Sequence, residues 1–340
     1  MKSLICEKPY QLSYIEANMP KVKPTELLIK VSAVGICGTD IHAYTGNQPF
    51  FSYPRVLGHE LCGVVCELGD KVNQPFIIGD KVALIPYLSC FQCASCLSGK
   101  TNCCENISVI GVHQDGGFCE YLAVPQDNVL KVNGVDNATA ALIEPFAISA
   151  HAVRRAEIKI DEAVLVVGAG PIGLGAAAIA AADGANVIVA DTLSERRDHV
   201  KNQLNLPTLN PLDENFYESL LEAFGGSLAQ TVIDATGNPH AMNGAVNHIR
   251  HGGKIVFVGL FKGNLEISDP DFHKKETTLM GSRNATKEDF SKVQNLMERG
   301  TLQANMMLTH TFDFNTLGET YEKSVVNNKE LLKGIIKFDV

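Results

Sequence analysis

Four cysteines, Cys90, Cys93, Cys96 and Cys104, fall at C-x2-C-x2-C-x7-C spacing. Four thiolates carried on one loop can close a tetrahedron around Zn²⁺ at about 2.3 Å per bond. That leaves no open coordination position, so the site is of the structural kind. Iron–sulfur ligation uses the same residues, but no redox companion motif accompanies them. Soft ligands this closely spaced favour a metal over free thiols in a loop. Cys103 adjoins Cys104 and competes for the fourth position. Cys6, Cys62, Cys66 and Cys119 read as small buried hydrophobes.

A second constellation is built from glycine. Gly168, Gly170 and Gly173 stand at G-x-G-x-x-G spacing in Gly168-Ala-Gly-Pro171-Ile172-Gly173. The apolar run Val164–Val167 precedes them, an alanine-rich segment follows, and a second apolar run, Asn186–Ala190, ends at Asp191, 18 residues beyond Gly173. Strand, tight turn, helix, strand and acid form a dinucleotide-binding unit. Gly168 permits the turn, Gly170 leaves room for a pyrophosphate, and Gly173 lets the helix approach the strand. The helix N-terminus offers N–H groups to the phosphates. Asp191 is placed to accept hydrogen bonds from the adenosine ribose diol and to repel a 2′-phosphate, which predicts NAD over NADP. Arg196 and Arg197 lie near enough to hold such a phosphate and weaken that preference.

The elements that must position these groups divide the chain in two. At 340 residues it is long enough for two domains with sizeable cores. Short strands with Gly, Pro and Asp turns run to about residue 132 and predict a compact β domain. Helices and strands alternate from about 137 to 283, with strands near 164–167, 187–190, 231–234, 254–258 and 277–281. Residues 286–340 are placed back on the first domain. All ten cysteines lie at or before Cys119, so the cysteine chemistry belongs to the first part. A net charge of −9 without a long basic run argues against a nucleic-acid partner. Ala163–Ala182 carries no charge and is long enough to span a membrane, but its glycines and Pro171 split it into strand and helix. Met1–Tyr10 lacks the apolar core of an export signal, so a cytoplasmic location is expected.

Two further motifs make a resemblance specific. Cys37-Gly-Thr39-Asp-Ile-His42 is one. The other is Gly58-His59-Glu60, continued by Gly63, Gly69 and Val72 in a G-H-E-x-x-G-x5-G-x-x-V pattern. With the four cysteines and Gly168–Asp191, they resemble the zinc-containing medium-chain dehydrogenases, which include alcohol, sorbitol and threonine dehydrogenases, over essentially the full length. The resemblance implies an α/β protein: a GroES-like β catalytic domain over 1–145 and 284–340, and a Rossmann doubly wound domain over 146–283. It places the active site in the cleft between them and implies a homodimer or homotetramer. It also implies two zinc ions per chain, with Cys104 completing the structural set.

The catalytic zinc, by the same resemblance, is held by Cys37, His59 and an acidic third group. Alcohol dehydrogenases use a cysteine there, but none follows Cys119. Glu144, in Leu142-Ile-Glu-Pro-Phe146, stands where sorbitol dehydrogenases carry their glutamate. Glu60 is a ligand in some family members and a supporting group in others, so both remain candidates. An open position on such a zinc lowers the pKa of a substrate hydroxyl, and the alkoxide carbon gives hydride to NAD. Thr39 matches the relay hydroxyl and His42 the group that passes the proton to solvent. By the same resemblance, Thr236, Val258 and Gly259, after the fourth and fifth Rossmann strands, are expected to line the nicotinamide ribose and ring.

Residues 46–55, 111–118, 272–276 and 281–286 resemble a narrower branch, the bacterial hexonate dehydrogenases. That branch implies oxidation at C5 of a sugar acid such as L-galactonate or L-gulonate. Sorbitol dehydrogenases carry tyrosine directly after the relay histidine, whereas this chain has Ala43, which counts against a plain polyol. Arg283 is the candidate for gripping the substrate carboxylate bidentately, with His113 the alternative. An arginine at that position equally suits a domain-interface clamp or a cofactor contact. Polyol and L-threonine oxidation are the neighbouring alternatives. A zinc-free or non-enzymatic relative is the alternative of a different class.

Overall fold

The computed structural model describes residues 1–48 and 51–338. Pro49 and Phe50, inside the 46–55 passage, lie outside the described residues. The chain divides into two compact units: Met1–Glu144 with Thr286–Ala304 and Leu308–Val340, and Pro145–Ala285 with Asn305–Met307.

The first unit is organised on the strand Glu26–Ile36. It pairs antiparallel with Glu60–Leu68, with Tyr121–Pro125 and with the late strand Gly334–Lys337. Having neighbours on both edges, it reads as a nearly continuous apolar run, Leu27 to Ile36, with only Lys30 and Ser32 interrupting. Among the described residues this sheet has seven strands, and a smaller one pairs Gln11–Glu16, Lys2–Lys8 and Arg55–Val56. Leu27, Ile29, Leu61, Val82 and Phe118 are fully buried in its core. Each such side chain contributes about 1.5–3 kcal/mol of burial. The return of residues 334–337 to this sheet is the long-range event of the unit, because it carries Lys333 to the end of Glu26–Ile36.

In the second unit, six described strands lie parallel in the order Thr208–Leu209, Asn186–Ala190, Ala163–Val167, Ala229–Asp234, Ile249–Phe257, Thr278–Gly281. This is the doubly wound order, whose switch point lies between the first and fourth strands in sequence. Val164, Leu165 and Val166 are fully buried because helices cover both faces of such a sheet. The uncharged run 163–182 resolves into strand Ala163–Val167 and helix Pro171–Ala182. Among the described residues no helix is long and apolar enough to cross a membrane. Gly168 adopts φ +95°, and a Cβ on Gly173 would fall 1.8 Å from the Gly168 carbonyl oxygen. Turn and close approach therefore both require glycine. Pro171 opens the helix at a position where its missing N–H costs nothing.

Candidate metal centres and nucleotide site

The sulfurs of Cys90, Cys93, Cys96 and Cys104 lie within 4.8 Å of one another. The loop's backbone turns its N–H groups onto them. Cys90 N donates to Cys104 Sγ at 3.2 Å, and Cys93 N donates to Cys90 Sγ at 3.4 Å. Such donors favour thiolate, and those of Gln92 and Cys93 draw the Cys90 thiol down to about 6. Cys103 is exposed and outside the group. Cys6, Cys62 and Cys119 are buried, and burial pushes their thiols up to about 11, 12 and 12. Cys66 is half-buried at the far end of its strand, because that end of Glu60–Leu68 leaves the core.

A second group of ligand atoms, from Cys37, His59 and Glu60, also lies within 4.8 Å. Cys37 precedes the short helix Gly38–Tyr44, and His59 precedes the strand Glu60–Leu68. Asp40, fully buried, joins the two segments. Its Oδ2 accepts from Cys37 N at 2.8 Å, its Oδ1 accepts from Gly58 N at 3.1 Å, and Oδ1 faces His59 Nδ1 at 3.8 Å. A carboxylate behind a histidine is the arrangement that orients an imidazole toward a metal. Burial pulls the His59 imidazole down, but Cys37 and Asp40 outweigh it and hold it well above the usual range.

Two acids stand at this group, differently partnered. Glu60 gives both oxygens to Lys333 Nζ, at 2.7 and 2.8 Å, and Lys333 also donates to the Ile36 carbonyl at 3.1 Å. The register explains the meeting: Gly35 pairs with Glu60 and Ile36 with Gly334, so Glu60 and Lys333 flank the strand end just before Cys37. Glu144, in the first turn of helix Ile143–Arg155, accepts a hydrogen bond at Oε1 from the Tyr87 hydroxyl. Its Oε2 is buried and has no protein partner. Glu144 falls outside the 4.8 Å group. Burial raises its carboxyl to about 7, against the pull of His59. A thiol, an imidazole and a carboxylate oxygen without a partner form a donor set that fits zinc. Thr39 and His42 sit one turn apart on the helix Gly38–Tyr44, Thr39 half-buried and His42 exposed.

The second unit carries an open cleft of about 740 Å³ at the carboxyl ends of its strands. Gly168, Gly170, Pro171, Asp191, Arg196 and Thr236 line it. Asp191 accepts from Ala169 N at 2.7 Å and from Leu193 N at 2.9 Å, which fixes its carboxylate against the glycine turn. Ile172 and Gly173 belong to the helix behind that turn. Thr236 caps Asp234 through N–H and hydroxyl, at 2.9 and 2.7 Å. The N–H groups of Val258 and Gly259 donate to the Asp234 carbonyl at 2.9 and 3.1 Å, tying the two loops together. The volume and lining suit a nucleotide.

Residues 23–134 match the alcohol dehydrogenase GroES-like domain family, and residues 171–299 match the zinc-binding dehydrogenase family. L-galactonate-5-dehydrogenase of Escherichia coli (strain K12) is 64% identical over 338 residues, covering 99% of each chain. The chain belongs to the zinc-type medium-chain alcohol dehydrogenases. Starvation-sensing protein RspB of the same strain is 36% identical over 99% of each chain. A crystal structure from E. coli CFT073, described as a short chain alcohol dehydrogenase (rspB) complexed with cofactor NADH, superposes with a TM-score of 0.91 at 35% identity, again covering 99% of each chain.

Within this medium-chain dehydrogenase, sequence reasoning passed over three residues. Asp40 was readable, because it stands three residues after Cys37, at the spacing of a reciprocal helix cap. Lys333 and Tyr87 carry no local signal. Of the two substrate candidates, His113 is exposed, and its Nδ1 accepts from Val109 N at 3.0 Å, which gives it a turn-forming role. Arg283 follows the last Rossmann strand, Thr278–Gly281, and is exposed.

Proposed function

We propose that this dehydrogenase is a zinc- and NAD-dependent hexonate dehydrogenase. Its first candidate reaction is oxidation of the C5 hydroxyl of L-galactonate to D-tagaturonate, and the next is L-gulonate to D-fructuronate. The observation that carries this reading is the 64% identity, over 99% of both chains, to an L-galactonate-5-dehydrogenase. Cys90, Cys93, Cys96 and Cys104 would hold a structural zinc. Cys37, His59 and Glu144 would hold the catalytic one, with Glu60 kept behind them by Lys333. The unpartnered Glu144 Oε2 favours this assignment over Glu60, whose oxygens both face the lysine.

Zinc bound there supplies a Lewis acid that lowers the pKa of the substrate hydroxyl. NAD in the second unit supplies the hydride acceptor. Asp191 favours it over NADP by repelling a 2′-phosphate, although Arg196 on the same cavity lessens the preference. The protein's own part is positional and protonic. Asp40 fixes Cys37 and His59 relative to each other. Thr39 Oγ1 takes the departing proton and the exposed His42 imidazole passes it to solvent. Arg283 pairs with the substrate carboxylate. A cytoplasmic homodimer or homotetramer without nucleic-acid or membrane partners is the matching setting.

The test is NADH production across hexonates, pentitols, hexitols and L-threonine, repeated with Arg283→Ala. L-galactonate should turn over best. The variant should raise KM for the hexonate by roughly 30- to 150-fold, the value of a charged hydrogen bond of about 2–3 kcal/mol, and leave the neutral polyol nearly unchanged. Good turnover of sorbitol or threonine without any hexonate would overturn the reading.

A further inference from the structure

Tyr87 has a place at this site that the catalytic chemistry has not used. It is nine-tenths buried, and its hydroxyl donates to Glu144 Oε1. Three contacts fix where that hydroxyl stands. The Tyr87 backbone pairs with Val109 across a short antiparallel ladder. Asn128 Nδ2 donates to the carbonyls of Tyr87 and Ile85 at 3.0 and 2.9 Å. The ring meets Phe290 edge-on at 6.2 Å between centroids. The donor is therefore part of a rigid frame, and the acceptor is the carboxylate of a residue only 2% exposed.

A carboxylate with two free oxygens can chelate a cation, can present either oxygen, and can rotate between the two. Here one oxygen accepts the tyrosine hydroxyl's hydrogen bond and the other is buried without a protein partner. We propose that Tyr87 is a positioning residue that holds Glu144 to one-oxygen presentation, keeping Oε2 alone available to the catalytic metal. This rests on the reading of Glu144 as the third ligand. Supporting residues that fix a ligand's orientation typically change metal affinity about 10- to 100-fold when removed. Tyr87→Phe keeps the ring against Phe290 and removes only the donor.

The experiment is zinc retention by the full-length holoprotein in a chelator competition, with the cobalt-substituted protein as a spectroscopic control. The variants are Tyr87→Phe, Glu144→Ala and the pair together. One of the two zinc ions should be lost from Tyr87→Phe at about 10- to 100-fold lower chelator concentration, with a changed cobalt absorption band and the four-cysteine ion undisturbed. In the Glu144→Ala background the tyrosine substitution should change retention less than twofold, since the tyrosine acts through that carboxylate. Retention in Tyr87→Phe within twofold of the parent would overturn the proposal, as would an equal loss in both backgrounds. If Glu144→Ala alone keeps both ions at parental affinity, the ligand assignment itself falls, a result distinct from failure of the tyrosine's role.

Discussion

Replacing Lys333 by methionine removes the cation that faces both oxygens of Glu60 and leaves the chain shape nearly intact. The two side chains are 3% and 1% exposed, so water does not replace the lost partner. At 2.7 Å the attraction is about 6 kcal/mol at an effective dielectric of about 20, before desolvation is subtracted. Breaking a buried pair from one side costs about 3–5 kcal/mol in practice, because the surviving charge is stranded. An exposed pair would be worth only about 0–1 kcal/mol. For a unit of this size each kcal/mol moves the transition by about 2–4 °C, so Lys333→Met should lower the Tm of the first unit by roughly 6–20 °C. Scanning calorimetry on zinc-saturated protein measures this. Adding Glu60→Gln removes the stranded charge and leaves a neutral amide, whose burial costs about 1–3 kcal/mol, so the double variant should recover part of the loss. Burial pulls the Lys333 ammonium down, but Glu60 and Cys37 outweigh it, and the net shift is upward. A raised lysine contributes stability that is fully present below its unfolded pKa of about 10.4 and is lost only as pH rises through the higher folded value. The lysine's own titration therefore adds no pH dependence to the variant's deficit between about pH 6 and pH 9. A Tm within about 3 °C of the parent, or a double variant no more stable than the single one, would refute the reasoning.

The remaining expectations are local. Cys93→Ser should lower the zinc content of purified protein from two ions to one per chain and open the loop 90–104 to protease; elemental analysis and limited proteolysis read both, and two retained ions would count against the four-thiolate site. Asp136 caps the helix Asn137–Ala141 by accepting from Thr139 N at 3.0 Å, so Asp136→Ala should cost about 1 kcal/mol at neutral pH. Burial would raise its carboxyl, but Thr139 and neighbouring N–H groups lower it on balance. The cap therefore acts above the unfolded pKa of about 3.9, and the gap between variant and parent should close as pH falls below that value in denaturant titrations.

What was legible in the sequence is what is local along the chain. The four cysteines span one loop, and their spacing brings them together whatever the rest of the fold does. The glycine turn carries its own strand and helix, so its order in the doubly wound sheet followed from the alternation of elements after residue 137. The acidic side of the second metal group was not legible in the same way. The Lys333–Glu60 pair joins residues 273 positions apart, and it exists only because the last strand pairs with Glu26–Ile36 in one register. Slipping that register by one residue would turn Lys333 to the opposite face. A lysine ahead of a terminal strand and a tyrosine between two short strands look like any surface or core residue until that pairing is known.

The charges at the site explain why such distant residues converge. Asp40, Glu60 and Glu144 are between 0% and 2% exposed, and the Cys37 sulfur lies within 4.8 Å of a Glu60 oxygen. Burying three carboxylates and a thiolate without compensation would cost far more than the fold's net stability. Lys333 offsets one negative charge. The N–H groups of Cys37 and Gly58 solvate Asp40, and the Tyr87 hydroxyl solvates one edge of Glu144. What is left is an excess of negative charge around Cys37, His59 and the free edge of Glu144, and a divalent cation is the simplest group that balances it. On this account Lys333 and the metal divide one task. If Cys37, His59 and Glu144 hold the metal as proposed, the lysine would neutralise the carboxylate that stays behind, so that a bound dication would meet a donor set near −2 rather than −3 and would keep its Lewis acidity for the substrate oxygen. Glu60→Gln should then leave zinc affinity near the parent's, whereas Glu144→Ala should weaken it.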